Sequence, residues 1–304
     1  MEKTENELDI KALIQVILNR KKFILFIASI MFSLSLIIAI FSQNIYVSKA
    51  TLLMSNPEES LSNMLGGYSS LAGFAGVSLL SGSGDKSDEA IERIQSFDFF
   101  SNYFLPNIKL EDLMAVSKWD AEKNKLYYRA SKFDETTKKW VRDVDFPKKP
   151  RPSSQEAFEI YERILTAEKD NRTNFIYLSI EHKSPFIAKS WLDLIIKNIN
   201  ESMREEDRAQ ASESINFLNE SLQETNLEEM QDAIAELLEM QMQKLMLASS
   251  NEDYIFKRIE SPIAPEEESR PARFLNVIFG TAFGFFIGIG IVLVQSFRNE
   301  IKSK

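Results

Sequence analysis

The sequence predicts an α+β membrane protein: two transmembrane helices that flank an extracytoplasmic α/β base with a long extended helical arm. Three observations carry this prediction. Two long uncharged apolar stretches lie near the ends of the chain. No glycine occurs between Gly84 and Gly280, which favours helices because glycine costs about 1 kcal/mol in a helix interior. Short alternating segments between the apolar stretches are typical of strands.

The first apolar stretch, residues 23–41, is interrupted only by Ser29, Ser33 and Ser35, and the second, residues 274–297, contains no charge. Because a helix needs about 20 apolar residues to cross a bilayer, both are predicted to span it. The alternative for the first stretch is a cleaved signal peptide. Its apolar run is too long for that, and the residues after it do not form a small-residue cleavage site. We therefore expect transmembrane helices at 23–42 and 274–297.

Basic residues predict the topology. The triplet at 20–22 precedes the first span, and Arg298, Lys302 and Lys304 follow the second. By the positive-inside rule, the tails 1–22 and 298–304 are cytoplasmic. Residues 43–273 then lie outside the cytoplasm, with 28 basic against 40 acidic residues and a net charge of −12.

Alternation and turn residues divide the outer segment. Strands are predicted at 45–54, 174–181 and 253–259, and helices at 88–104 and from Ser153 onward. Together they predict a base whose first part is 43–183, a helical arm at 184–250 with a break near 223–226, and a return strand and proline-rich hinge at 251–273.

The helical arm is predicted to begin at Ser184 and Pro185, because serine is a preferred N-cap and proline suits the first helical position. The polar residues 201–213 indicate a helix that stands away from the core. Beyond them runs an apolar seam, for which we expect a role in oligomer or partner contact: Leu218, Leu222, Leu227, Met230 and Ile234.

Two further patterns lie near the second span. Gly280, Gly284 and Gly288 recur every four residues on one helix face, a spacing that lets transmembrane helices pack closely. The partner helix could be the first span, another subunit or a different membrane protein. Pro262, Pro265 and Pro271 predict a stiff extended hinge before the membrane, because proline fixes φ and removes a hydrogen-bond donor.

Composition excludes several kinds of chemistry. The net charge of −9 argues against a nucleic-acid protein. The chain has no cysteine, which excludes thiolate metal sites and cysteine nucleophiles, and His182 is its one histidine. Residues 82–87 lack the lysine directly after the second glycine that a phosphate loop requires. We expect no catalytic, cofactor-binding or metal-binding residues, and no enzyme.

Several segments together resemble a known family. They are Glu7–Leu13 before the basic triplet, Ser70–Gly76, Glu89–Ser96, the long helix after Pro185, and Tyr254–Ile259 leading to the proline segment and the second span. With the two-span topology, they resemble the polysaccharide co-polymerases, the Wzz-type chain-length determinant proteins of bacteria. In this family the proline segment usually ends in Ser-Pro-Lys/Arg, whereas this chain has Arg270-Pro271-Ala272-Arg273.

The resemblance implies a bell-shaped ring of identical subunits, about eight of them, based on the inner membrane with residues 43–273 in the periplasm. It implies no cofactor and, because the chain ends seven residues after the second span, no kinase domain. The implied partners are the membrane polysaccharide polymerase, the bilayer and the nascent glycan. The implied function is non-enzymatic control of the length of O-antigen or a related polysaccharide. The alternatives are a scaffold that couples synthesis to an outer-membrane export channel, and a membrane-tethered periplasmic hydrolase.

Overall fold

A computed structural model describes residues 18–55, 86–224, 227–250 and 253–303. The segments Glu7–Leu13 and Ser70–Gly76, the loop at 82–85 and part of the predicted break near 223–226 lie outside these residues. The chain forms two compact units, one made of residues 1–45 and 268–304 and the other of residues 46–267.

The elements follow one another along the chain as follows. They are α1 (Lys21–Phe41), β1 (Tyr46–Met54), α2 (Lys86–Gln95), α3 (Phe97–Phe99) with a π-helical turn (Phe100–Phe104) and a 3-10 turn (Leu105–Asn107), α4 (Leu110–Met114), β2 (Val116–Asp120), β3 (Lys125–Tyr128), β4 (Phe133–Asp134), β5 (Lys139–Trp140), α5 (Ser154–Ile164), β6 (Leu165–Lys169), β7 (Phe175–His182), α6 (Pro185–Glu224), α7 (Glu228–Ser250), β8 (Phe256–Glu260) and α8 (Arg273–Ser303).

The first unit consists of α1 and α8, which pack side by side. Residues Lys21–Phe41 and Arg273–Gln295 are long and apolar enough to cross a bilayer. The second unit mixes strands with long helices. The fold class predicted from the sequence is therefore confirmed.

The second unit is built on a four-stranded antiparallel sheet in the order β6-β7-β1-β8. Strands β7 and β1 are the two central strands, and they pair with Tyr46 opposite His182 at one end and Leu53 opposite Phe175 at the other. Its side chains alternate between buried and more exposed positions, as in a strand with one face on the core. The apolar face of the sheet packs against α6.

The segment predicted as one helix at 88–104 is broken, and that prediction is wrong in this respect. Helix α2 ends at Gln95, and Ser96 caps a new helix by accepting a hydrogen bond from the Phe99 amide. The following π-helical turn places Phe100 and Phe104 in the core. Both rings lie within 5.0 Å of the buried Tyr161 ring, centroid to centroid. The break therefore brings two aromatic side chains onto α5.

Helices α6 and α7 form an antiparallel hairpin, in which Lys244 of α7 donates a hydrogen bond to Gln210 of α6. The prediction that residues 201–213 stand away from the core is wrong. Ser202, Asp207 and Ala211 are buried, because the return of the chain in α7 and the residues before β8 pack against them.

A smaller module of two antiparallel hairpins, β2–β3 and β4–β5, joins the sheet. Trp119 of β2 packs edge-on against Tyr46 at the start of β1 and against Phe186 at the start of α6. Phe133 of β4 is buried between Tyr128 and Trp140. We call residues 116–151 the β2–β5 module.

Candidate functional site

The three regularly spaced glycines of α8 face α1. A methyl group added at Gly280 would lie 1.8 Å from the Ser35 Oγ, and one added at Gly284 would lie 2.5 Å from the Met31 Cβ. At Gly288 the nearest atom would be the Ile24 Cα, at 3.2 Å. The two helices therefore run antiparallel, with their closest approach at these glycines.

Polar contacts lie at both ends of this helix pair. Arg20 donates a hydrogen bond to the Gln295 side chain, 2.6 Å between the Nη1 and Oε1 atoms. At the other end Arg273 donates to Asn44, and the backbone of Ile45 pairs with that of Arg270. Pro271 follows this pairing, while Pro262 and Pro265 belong to the second unit. There the Ile263 carbonyl accepts a hydrogen bond from Ser48 of β1.

The apolar seam of the helical hairpin is divided between two surfaces. Leu218, Leu222 and Ile234 are half-buried, whereas Leu227 and Met230 are exposed. The exposed apolar surface includes four residues outside the predicted seam: Phe217, Met240, Met242 and Met246. Phe217 is 67% exposed. It lies directly beside Leu218 and does not fit the spacing of the seam, so the pattern did not include it.

Asp207 of α6 ties the hairpin to the rest of the unit. It is 8% exposed, and its carboxylate lies 2.8 Å from the Lys244 Nζ and accepts a hydrogen bond from the Tyr254 hydroxyl. Lys86 at the start of α2 lies 3.4 Å away. Burial alone would raise the pKa of Asp207, but these donors and cations lower it. The carboxylate therefore stays ionised and joins three elements that are distant in sequence.

Asn200, about two turns before Asp207 on the same helix, makes a second attachment. Its Oδ1 accepts hydrogen bonds from the amides of Ile255 and Phe256, each at 2.8 Å. Its Nδ2 donates to the Phe256 carbonyl at 3.1 Å. One buried side chain thus satisfies three backbone groups where β8 begins, which fixes the return strand on α6.

Helix α6 begins at Pro185, and Ser184 precedes it. The Ser184 amide donates to the Nδ1 atom of His182, so the proton of this histidine is on Nε2, which donates to the Asp112 carbonyl. Burial lowers the pKa of His182 to about 4. The neutral ring packs edge-on against Trp191, and this histidine is a satisfied core residue.

Cations gather where the β2–β5 module meets the sheet. Lys183 donates hydrogen bonds to the carbonyls of Val116 and Ser117. Burial lowers its pKa to about 8, and the nearby charges of Arg129 and Lys132 act in the same direction. Three cations therefore lie near one another at this junction.

A cleft of about 810 Å³ opens beside the first turns of α6. Its wall includes Lys109, Lys197 and Pro262, the first proline of the predicted hinge. Asp193 lies in the wall as well, where its carboxylate oxygens are 2.7 Å from the Lys189 Nζ and 3.6 Å from the Arg258 Nη1. Among the residues that the structure describes, no cluster of His, Asp and Glu has the arrangement of a metal site.

Comparison with known proteins finds one family. Residues 6–104, about a third of the chain, match the family model described as "Wzz: Chain length determinant protein". The match confirms the resemblance to the Wzz-type chain-length determinants. No curated protein sequence matches the chain significantly.

Solved structures of similar description also match. A "full-length bacterial polysaccharide co-polymerase" is 13% identical, covering 98% of this chain and 100% of that one, with a TM-score of 0.42. A fragment of WzzB, a polysaccharide co-polymerase from Salmonella Typhimurium, is 14% identical, covering 75% of this chain and 100% of that one, with a TM-score of 0.32.

Proposed function

We propose that this protein regulates the chain length of a bacterial surface polysaccharide, such as an O-antigen, a capsule or an exopolysaccharide. The observation that carries the proposal is the family match over residues 6–104. Two apolar helices around a mixed α/β unit with a long helical hairpin support it, because they suit a membrane-anchored scaffold. In this proposal the role is non-enzymatic, and the membrane polymerase is the partner.

The proposed setting is the bacterial inner membrane, with both termini cytoplasmic and residues 43–273 periplasmic. The basic residues beside both spans support this orientation. We further propose that the subunits form a closed ring, with the exposed apolar surface of the hairpin in the subunit contact. Exposed apolar surface of this kind is typical of protein interfaces. In the same proposal, the glycines of α8 are packing residues and the three prolines form a hinge.

Deletion of the gene tests the function directly. The polysaccharide is separated by size on a gel from the parent strain, the deletion strain and a complemented strain. We expect the preferred length to disappear on deletion and to return with the wild-type gene. An unchanged length distribution would refute chain-length control, and a loss of surface polysaccharide without a change in length would favour the export scaffold.

The ring is tested by the native mass of the full-length protein in detergent. Phe217→Ser removes an exposed aromatic ring from the proposed contact and should shift the mass toward smaller assemblies. Asn219→Ser, at an exposed polar position on the same helix, is the matched control. A monomeric wild-type protein, or equal masses for both variants, would contradict this subunit contact.

A further inference from the structure

Charge is strongly segregated within the outer segment. The β2–β5 module contains 11 Lys and Arg against six Asp and Glu, whereas the remainder of residues 43–273 contains 17 against 34. A formal charge of +5 therefore stands beside one of −17. Nine of the eleven cations are exposed: Lys118, Lys123, Lys125, Arg129, Lys138, Lys139, Lys148, Lys149 and Arg151.

Half of the carboxylates in this module are already engaged by the module itself. Asp120 accepts hydrogen bonds from two amides of its own turn. Asp134 does the same in the next hairpin, and the hydrogen bond from the Thr137 side chain is the largest of the causes that lower its pKa. Glu135 pairs with Lys125 at 2.9 Å. Among the exposed side chains of the module, nine cations stand against four carboxylates, so its exposed surface is net positive.

The loop after β5 presents an apolar side chain, Phe146, which is preceded in sequence by Asp143 and Asp145 and followed by Lys148, Lys149 and Arg151. Phe146 is 95% exposed, the highest value among the exposed large apolar residues of the described chain. The loop has a fixed structure, because Arg142 donates to the carbonyls of Lys149 and Pro150. The same guanidinium makes a two-pronged ion pair with Glu156. The exposed ring thus stands on a loop that is anchored in the unit.

The module packs on the end of the sheet at which the chain enters this unit. Trp119 contacts Tyr46, which is only five residues along the chain from the last residue of α1. Trp119 also contacts Phe186, which is itself 52% exposed. A surface tethered this closely to a membrane span meets lipid at a high effective concentration, so that a weak intrinsic affinity suffices for binding.

We propose that the β2–β5 module binds the anionic phospholipid headgroups of the bilayer that holds the chain's own spans, with Phe146 inserted at the headgroup level. Clustered Lys and Arg attract anionic lipid surfaces, and an exposed aromatic ring on the same module adds apolar contact at the interface. The inference depends on the membrane anchor and is independent of chain-length control.

The test uses the full-length protein in lipid nanodiscs. Because the chain has no cysteine, Phe146→Cys gives a single site for a polarity-sensitive fluorophore. In discs that contain phosphatidylglycerol, we expect a blue-shifted emission and quenching by brominated lipid. In discs of phosphatidylcholine alone, the label should report water. Tyr177→Cys, at an exposed aromatic position on β7, is the matched control and should report water in both.

Removal of single positive charges measures the electrostatic contribution to lipid binding. Each of Lys148→Gln and Lys149→Gln should lower the ratio of bound to free label about fivefold, since one cation near an anionic surface contributes about that factor. Raised salt should weaken the shift. A label at position 146 that reports water in anionic discs overturns the proposal. So does a shift caused by a soluble anionic polysaccharide and not by phosphatidylglycerol, which would assign the module to glycan.

Discussion

Replacement of Gly284 by alanine tests the packing of α1 against α8. The new Cβ would lie 2.5 Å from the Met31 Cβ and 3.3 Å from the Ala28 Cα. Ordinary contact needs about 3.4 Å or more, so the helices must separate by about 1 Å. Such overpacking typically costs about 1–3 kcal/mol. Alanine also favours the helix by up to about 1 kcal/mol, which partly offsets this cost.

Gly290→Ala isolates the packing effect, because nothing lies within 4 Å of the Cβ position there and the gain in helix propensity is the same. The free energy of separating the helices should therefore differ by about 1–3 kcal/mol between the two variants, or about 5- to 150-fold in the equilibrium constant. Fluorophore pairs on cysteines at Leu34 and Phe279, both exposed, report the separation as SDS is added to mixed micelles. Equal midpoints for the two variants would refute close packing at Gly284.

Three further predictions concern the second unit. The lowered pKa of Asp207 stabilises the fold fully above pH 3.8, the ordinary pKa, and this contribution to stability is lost as the pH falls below that value. Asp207→Asn removes the contribution. Thermal unfolding of the variant should therefore depend less on pH in this acidic range than that of the wild type. Asn200→Ala leaves three buried backbone groups unpaired and should lower the free energy of unfolding by about 3 kcal/mol or more, whereas an effect below about 1 kcal/mol would contradict this role. The pKa of His182 is about 4 in the fold against an ordinary 6.5, so the unfolded chain takes up a proton at a higher pH than the folded one. The free energy of unfolding should therefore fall by up to about 3 kcal/mol as the pH is lowered from 6.5 to 4, and His182→Gln should flatten that dependence. A steep pH dependence retained in this variant would assign it to other groups.

The sequence predicted elements whose signal is local. The alternation after the first span corresponds to β1, and Ser153 begins α5 with a capping box completed by Glu156. Asp207 lacked such a signal, because its polar neighbours resemble a solvated helix face. Its partners Lys86, Lys244 and Tyr254 come from three distant parts of the chain. Burial of this residue depends on how the chain returns, which periodicity does not encode.

The exposed surface of the α6–α7 hairpin could not be predicted from the sequence for the same reason. A spacing of three or four residues groups Leu218 with Leu227, yet one is half-buried and the other exposed. Which side of each helix faces its partner depends on the rotation of both helices, and the spacing along one helix does not encode this rotation. The exposure of Phe146 was missed for a related reason, because the sequence of a proline-rich polar loop does not indicate which of its side chains point to solvent.

The position of β1 in the sheet has a consequence for biosynthesis. Both of its neighbours, β7 and β8, are made later, and the second follows Met54 by about 200 residues. At translation rates of about 5–20 residues per second, this strand waits roughly 10 to 40 s before both of its edges are paired. A strand with two open edges is prone to aggregation. In the proposed topology, export of this segment should therefore be sensitive to factors that shield nascent strands outside the membrane.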